Sequence, residues 1–426
     1  MSERIAVIGG GITGLFSAMY LAQAGFETSL FEKGELASET SDKFHGMIHS
    51  GARYAVNDMV SARECISENR ILSGIASSFI DSSDGYFIAM TDQEAEFGER
   101  LESGCHAAGI PCTEEDVDEF LSMEPHVNRD LKRVMKVPDK VVHAFDFAAA
   151  VAAEARMLGA TIATNTEVTR IIADENTVTG LELSLNGAKS REKFDLVVNA
   201  AGPFTWNILR ESKIPSPEIM PSLGSMLVYD GRVTNSVLNR MRMPSDGDII
   251  VPYGSSSILG TMATVVEDAS SYTVDQEEID SLQEEGNRMV PSLEKIPLKR
   301  VYSSVRPLIS DGSGDPRSAS RSFDIFDHSR DGYSGLLTIT GGKYTTGRII
   351  GQETARKVCE VFGSKFNPRN PELDTSFQRF RDSGMMLHAD IYDMVESRSG
   401  TMDAERLIPG MALAVMASIS NRRNVK

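Results

Sequence analysis

The chain has 426 residues, 41% hydrophobic and 24% charged, enough for two or three domains around a large core. Its 61 acidic side chains against 43 basic ones give a formal net charge of -18, which argues against nucleic acid as a partner, since a phosphate backbone needs a basic face. It has no apolar run of transmembrane length, no leader-like segment before the first strand and no C-x-x-C among its four cysteines, so neither a membrane span nor a zinc or iron–sulfur cluster is expected.

The first predicted element is an apolar strand over residues 5–10, followed by a helix over 15–24 and a second strand over 28–31. Gly9, Gly11 and Gly14 fit G-x-G-x-x-G, and Glu32 follows 18 residues beyond Gly14, with Lys33 after it. This is a complete βαβ dinucleotide site. Gly9 permits the tight turn, Gly11 lets a pyrophosphate approach the backbone with Ile12 and Thr13 at the helix start, and Gly14 lets helix and strand pack closely. Glu32 favours an unphosphorylated ribose, as in NAD or FAD.

Residues 38–54 are dense in hydroxyls, histidines and glycines, including Thr40, Ser41, His45, Gly46 and His49, and lack helical periodicity. A nicotinamide enzyme would start another βα unit here. An extended polar segment lying along a long cofactor suits FAD better. Residues 85–90 read as a strand before an acidic helix-like stretch. A helix over 148–158 leads to a strand at 161–164. Residues 167–172, with Val168, and 178–183 alternate like a small antiparallel sheet.

Buried strands without alternation follow at 194–202, ending in Ala200-Ala201-Gly202 with Trp206 just beyond, and at 335–342, ending in Gly341-Gly342 before Lys343-Tyr344-Thr345. With the first strand they are expected to meet around one cofactor, since open α/β sheets bind ligands at the carboxyl ends of their strands. Between them, 225–229 and 257–261 read as strands and 275–289 as a helix. A helix over 346–362 follows the last glycine pair. The end is helical, apolar over 406–416 and basic at 422–426, a composition compatible with a membrane surface, although a packed terminal helix is the commoner case.

The expected fold is α/β: a Rossmann-type FAD-binding domain, discontinuous over 1–85, 143–222 and 301–362. An inserted α+β substrate (cap) domain over 86–142 and 223–300 would be an antiparallel sheet with helices on one side. A helical extension occupies 363–426. A reduced chain in the cytoplasm is expected, although Cys105 and Cys112 are spaced to allow a pair.

Between Lys299 and Arg348 lie eight basic residues and five acidic ones, a local surplus of three in an acidic chain. An anionic substrate needs such a pocket, and arginine offers phosphate a bidentate fork. Arg306, Arg321 and Lys343 are the candidates, while Arg317, Arg330 and Arg348 are expected on a solvated face. His49 is the first candidate for a general base, with His45 and His328 as alternatives.

Specific runs carry a family resemblance. They are His45-Gly46-Met47-Ile48-His49-Ser50-Gly51-Ala52-Arg53-Tyr54, the run from Arg242 through Pro252, Ser304-Val305-Arg306-Pro307-Leu308, and Gly335 through Thr346. With these the chain resembles the flavin-dependent glycerol-3-phosphate dehydrogenases of the D-amino-acid-oxidase-like group, most closely the large catalytic component of the anaerobic bacterial enzyme. The resemblance implies FAD, hydride transfer from C2 of glycerol 3-phosphate to flavin N5, and dihydroxyacetone phosphate as product. It also implies electron delivery to a quinone or a partner redox subunit. It places Arg53, Tyr54, Arg306, Arg321 and Lys343 at the substrate and His49 near the flavin ring.

The sequence departs from that pattern in two places. The resemblance implies a cysteine-rich C-terminal iron–sulfur domain, yet no cysteine follows Cys359 in these 426 residues, so that route of electron exit is not expected from them. Leu223 stands where many relatives have lysine before the glycine, and Met226 where the aerobic enzymes place a histidine. A related 2-hydroxy-acid or amino-acid oxidase, or a non-catalytic flavoprotein scaffold, are the competing readings.

Overall fold

A computed structural model describes residues 2–309, 316 and 319–382; the apolar-then-basic tail and Arg317 lie outside them. Its first sheet has six strands in the order Phe323–Asp327, Leu336–Gly341, Leu196–Asn199, Arg4–Ile8, Glu27–Phe31, Thr161–Ala163. All pair parallel except the edge strand Phe323–Asp327. The three strands expected to meet are therefore adjacent, and Ile8, Asn199 and Gly341 bring their carboxyl ends to one rim.

Helices Ile12–Gln23, Ala144–Met157 and Gly347–Val361 cover one face of this sheet, sharing a core with Ile5, Val7, Leu30 and Val198. Ala144–Met157 starts four residues before the predicted 148. Its alanines favour helix, and their small side chains let it lie close against Ile12–Gln23. The other face carries a meander of Thr166–Asp174, Thr177–Leu185 and Ala188–Lys193, packed through Val168, Ile171 and Leu181.

The second sheet has nine strands. Its main path runs Thr264–Val265, Ile219–Tyr229, Ser256–Gly260, Ile249–Tyr253, Val237–Arg240, Gly85–Ala89, Arg133–Val137, Thr113–Glu115, and Leu298–Ile309 pairs along Ile219–Tyr229. Its pairings are antiparallel apart from Val237–Arg240 with Gly85–Ala89. Ile219–Tyr229 and Leu298–Ile309 each continue through a domain boundary expected at residue 222 or 300.

Helices cover both faces of this sheet rather than one. Val117–Met123 and Gln276–Met289 pack on Tyr86, Ile88 and Leu259, whereas Asp92–Ala108 packs on Phe87, Ala89 and Met135. All five residues of Gly85–Ala89 are buried, as in a strand covered on both sides. The four cysteines are free thiols, with Cys65, Cys105 and Cys359 buried.

Candidate active site

A cleft of about 430 Å³ runs from the rim of the first sheet to the face of the second. At its first end lies the glycine turn. Gly9 has φ +104°, and a Cβ there would meet the Ala200 carbonyl oxygen at 2.6 Å, so backbone faces backbone across two strands. The helix Ile12–Gln23 begins at Gly11, which has no side chain to cap it, so beyond the Ile12 N–H that Ser41 meets, its positive end faces the cleft.

Glu32 holds this turn from the side. Its Oε2 accepts from the Gly10 N–H at 2.7 Å and its Oε1 from the Gly34 N–H at 2.8 Å. The Ser41 hydroxyl accepts from the Ile12 N–H at 2.9 Å, and Thr40 donates to the Val305 carbonyl at 2.8 Å. The polar segment after Glu32 thus lies along the cleft as an extended wall. Lys33, its ammonium 3.5 Å from the Phe204 ring centroid, lines the same end with Thr13, Val168, Ala200, Ala201 and Gly202.

Trp206 does not line the cleft. On helix Thr205–Glu211 its neighbours Asn207 and Ile208 turn inward, while Trp206 is 41% exposed under the guanidinium of Arg210. Gly14 and Gly46 also stand behind the lining. Gly14 packs on the Gly9 carbonyl and Gly46 against the Tyr253 ring.

At the far end, Leu336–Gly341 finishes in a left-handed glycine pair, Gly341 at φ +71° and Gly342 at φ +84°. Lys343 and Tyr344 follow into the cleft, and Tyr344 stacks on Phe44 at 4.6 Å. Thr345 sits behind them, fully buried, and accepts from the His49 backbone N–H at 3.1 Å. The rings of His45, His49 and Tyr54 follow one another at 5.3 and 5.6 Å.

Four cations from four segments face this end. Arg53 donates through Nη2 to Asp248 Oδ2 at 3.2 Å and the Ser245 carbonyl at 3.3 Å, and its buried Nη1 has no protein partner. Arg306 donates through Nη2 to the Leu223 and Met262 carbonyls, and its buried Nε is likewise without a partner. Arg321 donates to the Pro316 carbonyl at 2.9 Å. The Lys343 ammonium donates to the Ser61 hydroxyl at 3.2 Å and the Arg321 carbonyl, and lies 5.3 Å from the Tyr54 ring centroid.

These charges shape the titrating groups around them. Burial, reinforced by Arg321, pulls Arg306 down to about 9. Burial, Arg53 and Arg306 lower His45 to about 3. His49 is pushed well below 6.5 by burial, His45 and the surrounding cations. Burial lifts the Tyr54 hydroxyl to about 12. Both imidazoles are therefore neutral near pH 7.

His328 is not part of this group. It is fully buried outside the cleft, its Nε2 bonded to the Thr338 hydroxyl at 2.8 Å. Arg348 is not on a solvated face either, being 3% exposed and paired with Glu68. Among residues that the sequence did not single out, Ser245, Asp246, Thr261 and Met262 line the cleft. The run from Arg242 to Pro252 carried a resemblance, but no local pattern showed that its loop turns into the site.

The glycine turn, the uncapped helix start, the ribose-side carboxylate and the long polar wall fit an FAD extended between the two ends. A family model for FAD-dependent oxidoreductases matches residues 4–356. The chain is 37% identical over 377 residues to the A1 component of the anaerobic glycerol-3-phosphate dehydrogenase of Haloferax volcanii, covering 85% of this chain and 64% of that protein. It is 37% identical over 369 residues to the corresponding A component of the Escherichia coli enzyme, covering 85% and 68%. The chain thus spans about two thirds of the length of these relatives. Among solved structures, FAD-bound L-α-glycerophosphate oxidase from Mycoplasma pneumoniae superposes with a TM-score of 0.71 at 21% identity, covering 88% of this chain and 98% of that one. With a fold, a cofactor cradle and a sequence that agree over most of its length, the chain belongs to the FAD-dependent oxidoreductase family.

Proposed function

We propose that this chain oxidises the secondary alcohol of glycerol 3-phosphate to the ketone of dihydroxyacetone phosphate, with electrons passing onward to a quinone or a partner redox protein. The observation that carries this reading is the pair of buried guanidinium N–H groups, Arg53 Nη1 and Arg306 Nε, without protein partners beside the histidines. A buried donor without an acceptor is costly, and a phosphate oxygen supplies the acceptor. The relatives named as components of anaerobic glycerol-3-phosphate dehydrogenase support the same substrate.

FAD, when bound, supplies the two-electron acceptor. Arg53, Arg306, Arg321 and Lys343 hold the phosphate end and fix the alcohol carbon relative to the glycine pair. His49, neutral among these cations, takes the hydroxyl proton on an imidazole nitrogen. The bound phosphate offsets the cations that depress His49, so its proton affinity rises only when substrate is in place. Tyr54 and the stacked Phe44–Tyr344 pair wall the site against water.

No helix among the described residues is long and apolar enough to cross a membrane. Electron delivery to a quinone or a redox protein needs contact at a membrane or protein surface, and our reading puts that contact on the cytoplasmic side. The test is anaerobic addition of glycerol 3-phosphate to the FAD-loaded protein. Bleaching of the oxidised-flavin absorption band is expected. An unbleached spectrum, or bleaching by a hydroxy or amino acid instead, would falsify the reading.

A further inference from the structure

One of the four cations that line the cleft, Arg53, is tied to an acid that stands outside the lining. Its guanidinium is anchored from behind by Asp248, whose side chain is fully buried. Asp248 Oδ2 accepts from Arg53 Nη2 at 3.2 Å and from the Ser245 N–H at 2.5 Å, and Oδ1 accepts from Arg242 Nε at 2.8 Å. Arg242 is tied in turn to Glu285 at 2.9 Å, and Glu285 to Arg240 at 3.0 Å. Within this set Arg242 and Arg240 share Glu285, so Asp248 is the acid that faces Arg53. One carboxylate thus fixes both the arginine and the loop, Pro244 to Asp246, that lines the cleft beside it.

From this geometry we infer that Asp248 is a positioning residue for the substrate anion. It holds Arg53 through Nη2, leaving Nη1 without a protein partner, and it pins the loop beside it. The inference rests on the phosphorylated-alcohol reading above. Arginine recognises an oxyanion through a planar fork, so the guanidinium's orientation sets affinity as much as its charge does. A neutral amide at position 248 accepts through only one oxygen. It cannot serve Arg53, Arg242 and the Ser245 N–H as the carboxylate does: in either orientation its NH2 faces a guanidinium, that of Arg242 or that of Arg53, and the negative charge that orients both arginines is gone.

The test uses the FAD-loaded enzyme. The KM for glycerol 3-phosphate and the competitive inhibition constant of inorganic phosphate are measured for the natural chain, Asp248→Asn, Arg53→Ala and the double variant. Neither constant depends on the fraction of active protein, so partial misfolding does not enter. Asp248→Asn is expected to raise both by roughly tenfold or more, with kcat changed much less. In the Arg53→Ala background the same substitution is expected to add much less than in the natural chain, because the part of its effect that runs through Arg53 is gone and only the loop contact remains. Asp248→Ser carries the test should the asparagine variant not take up FAD.

An unchanged phosphate constant in Asp248→Asn, or penalties that add in the double variant, overturns the inference. Failure of the natural chain to be reduced by glycerol 3-phosphate overturns the underlying reading instead. The two failures are thereby distinct.

Discussion

At the scale of single residues, the site is a set of groups held away from their ordinary ionisation. His45 and His49 are neutral because burial and nearby cations penalise the imidazolium. In the unfolded chain both titrate near the ordinary value of about 6.5. Between that value and the folded value of about 3 for His45, the unfolded state binds more protons. Stability contributed by these residues is thus complete above pH 6.5 and declines as pH falls below it. Over pH 5–6.5 each histidine contributes a slope of up to about 1.4 kcal/mol per pH unit. His45→Asn is expected to flatten the pH dependence of the FAD-free protein's unfolding free energy by up to that amount. Denaturant titrations at several pH values check this, and an unaltered slope refutes it. The same scale shows what a sequence hides. A surplus of basic residues near the C-terminal strands was legible, and the three it singled out, Arg306, Arg321 and Lys343, line the cleft. Charge counting could not tell that Arg348 has an acid waiting 280 positions away, or that Asp248 stands behind Arg53.

At the scale of elements, the glycine turn shows how one substitution changes sign with its surroundings. A Cβ on Gly14 would lie 2.0 Å from the Gly9 carbonyl oxygen, a backbone atom of the cradle that cannot rotate away. A Cβ on Gly74, near the end of helix Met59–Ile75, meets nothing within 4 Å. Gly14→Ala is therefore expected to cost about 1–3 kcal/mol and to weaken FAD binding. Gly74→Ala is expected to be stabilising by up to about 1 kcal/mol with FAD affinity unchanged. Thermal melts and a flavin fluorescence titration measure both, and matching effects at the two positions contradict the argument. Elements that depend on local pattern were the legible ones: the βαβ opening, the strands ending at Gly202 and Gly342, and the meander around Val168. Elements that depend on distant partners were not. The two-sided burial of Gly85–Ala89 comes from helices that no window of the sequence brings together, and Trp206 was misplaced because helix phase decides which neighbour turns inward.

At the scale of the whole molecule, the cofactor cradle is held to the rest of the protein by a buried charge cluster. Arg348, at the start of helix Gly347–Val361, bonds Glu68 through Nε at 2.8 Å and Nη2 at 2.6 Å. Its Nη1 reaches the Tyr20 hydroxyl at 3.0 Å, Gln352 at 2.9 Å and Asn370 at 3.2 Å. The cluster joins the helix behind the glycine fingerprint, the helix bearing Ser61 against Lys343, and the segment leading to Leu373–Asp382. Burial lifts the Glu68 carboxyl above its usual range despite Arg348, so desolvation outweighs the attraction it receives. Two consequences follow for stability. Glu68→Ala, which strands the guanidinium, is expected to cost about 3–5 kcal/mol. Replacing both partners by methionine is expected to recover part of that loss, since no buried charge remains. The recovery stops short because Tyr20 is fully buried and its hydroxyl then lacks the Arg348 bond, a residual cost of about 1–3 kcal/mol. Adding Tyr20→Phe removes that remainder. The four unfolding free energies, measured under one condition, decide the matter. If the double methionine variant is as unstable as Glu68→Ala, the ion pair itself and not its disruption governs how the cradle is held.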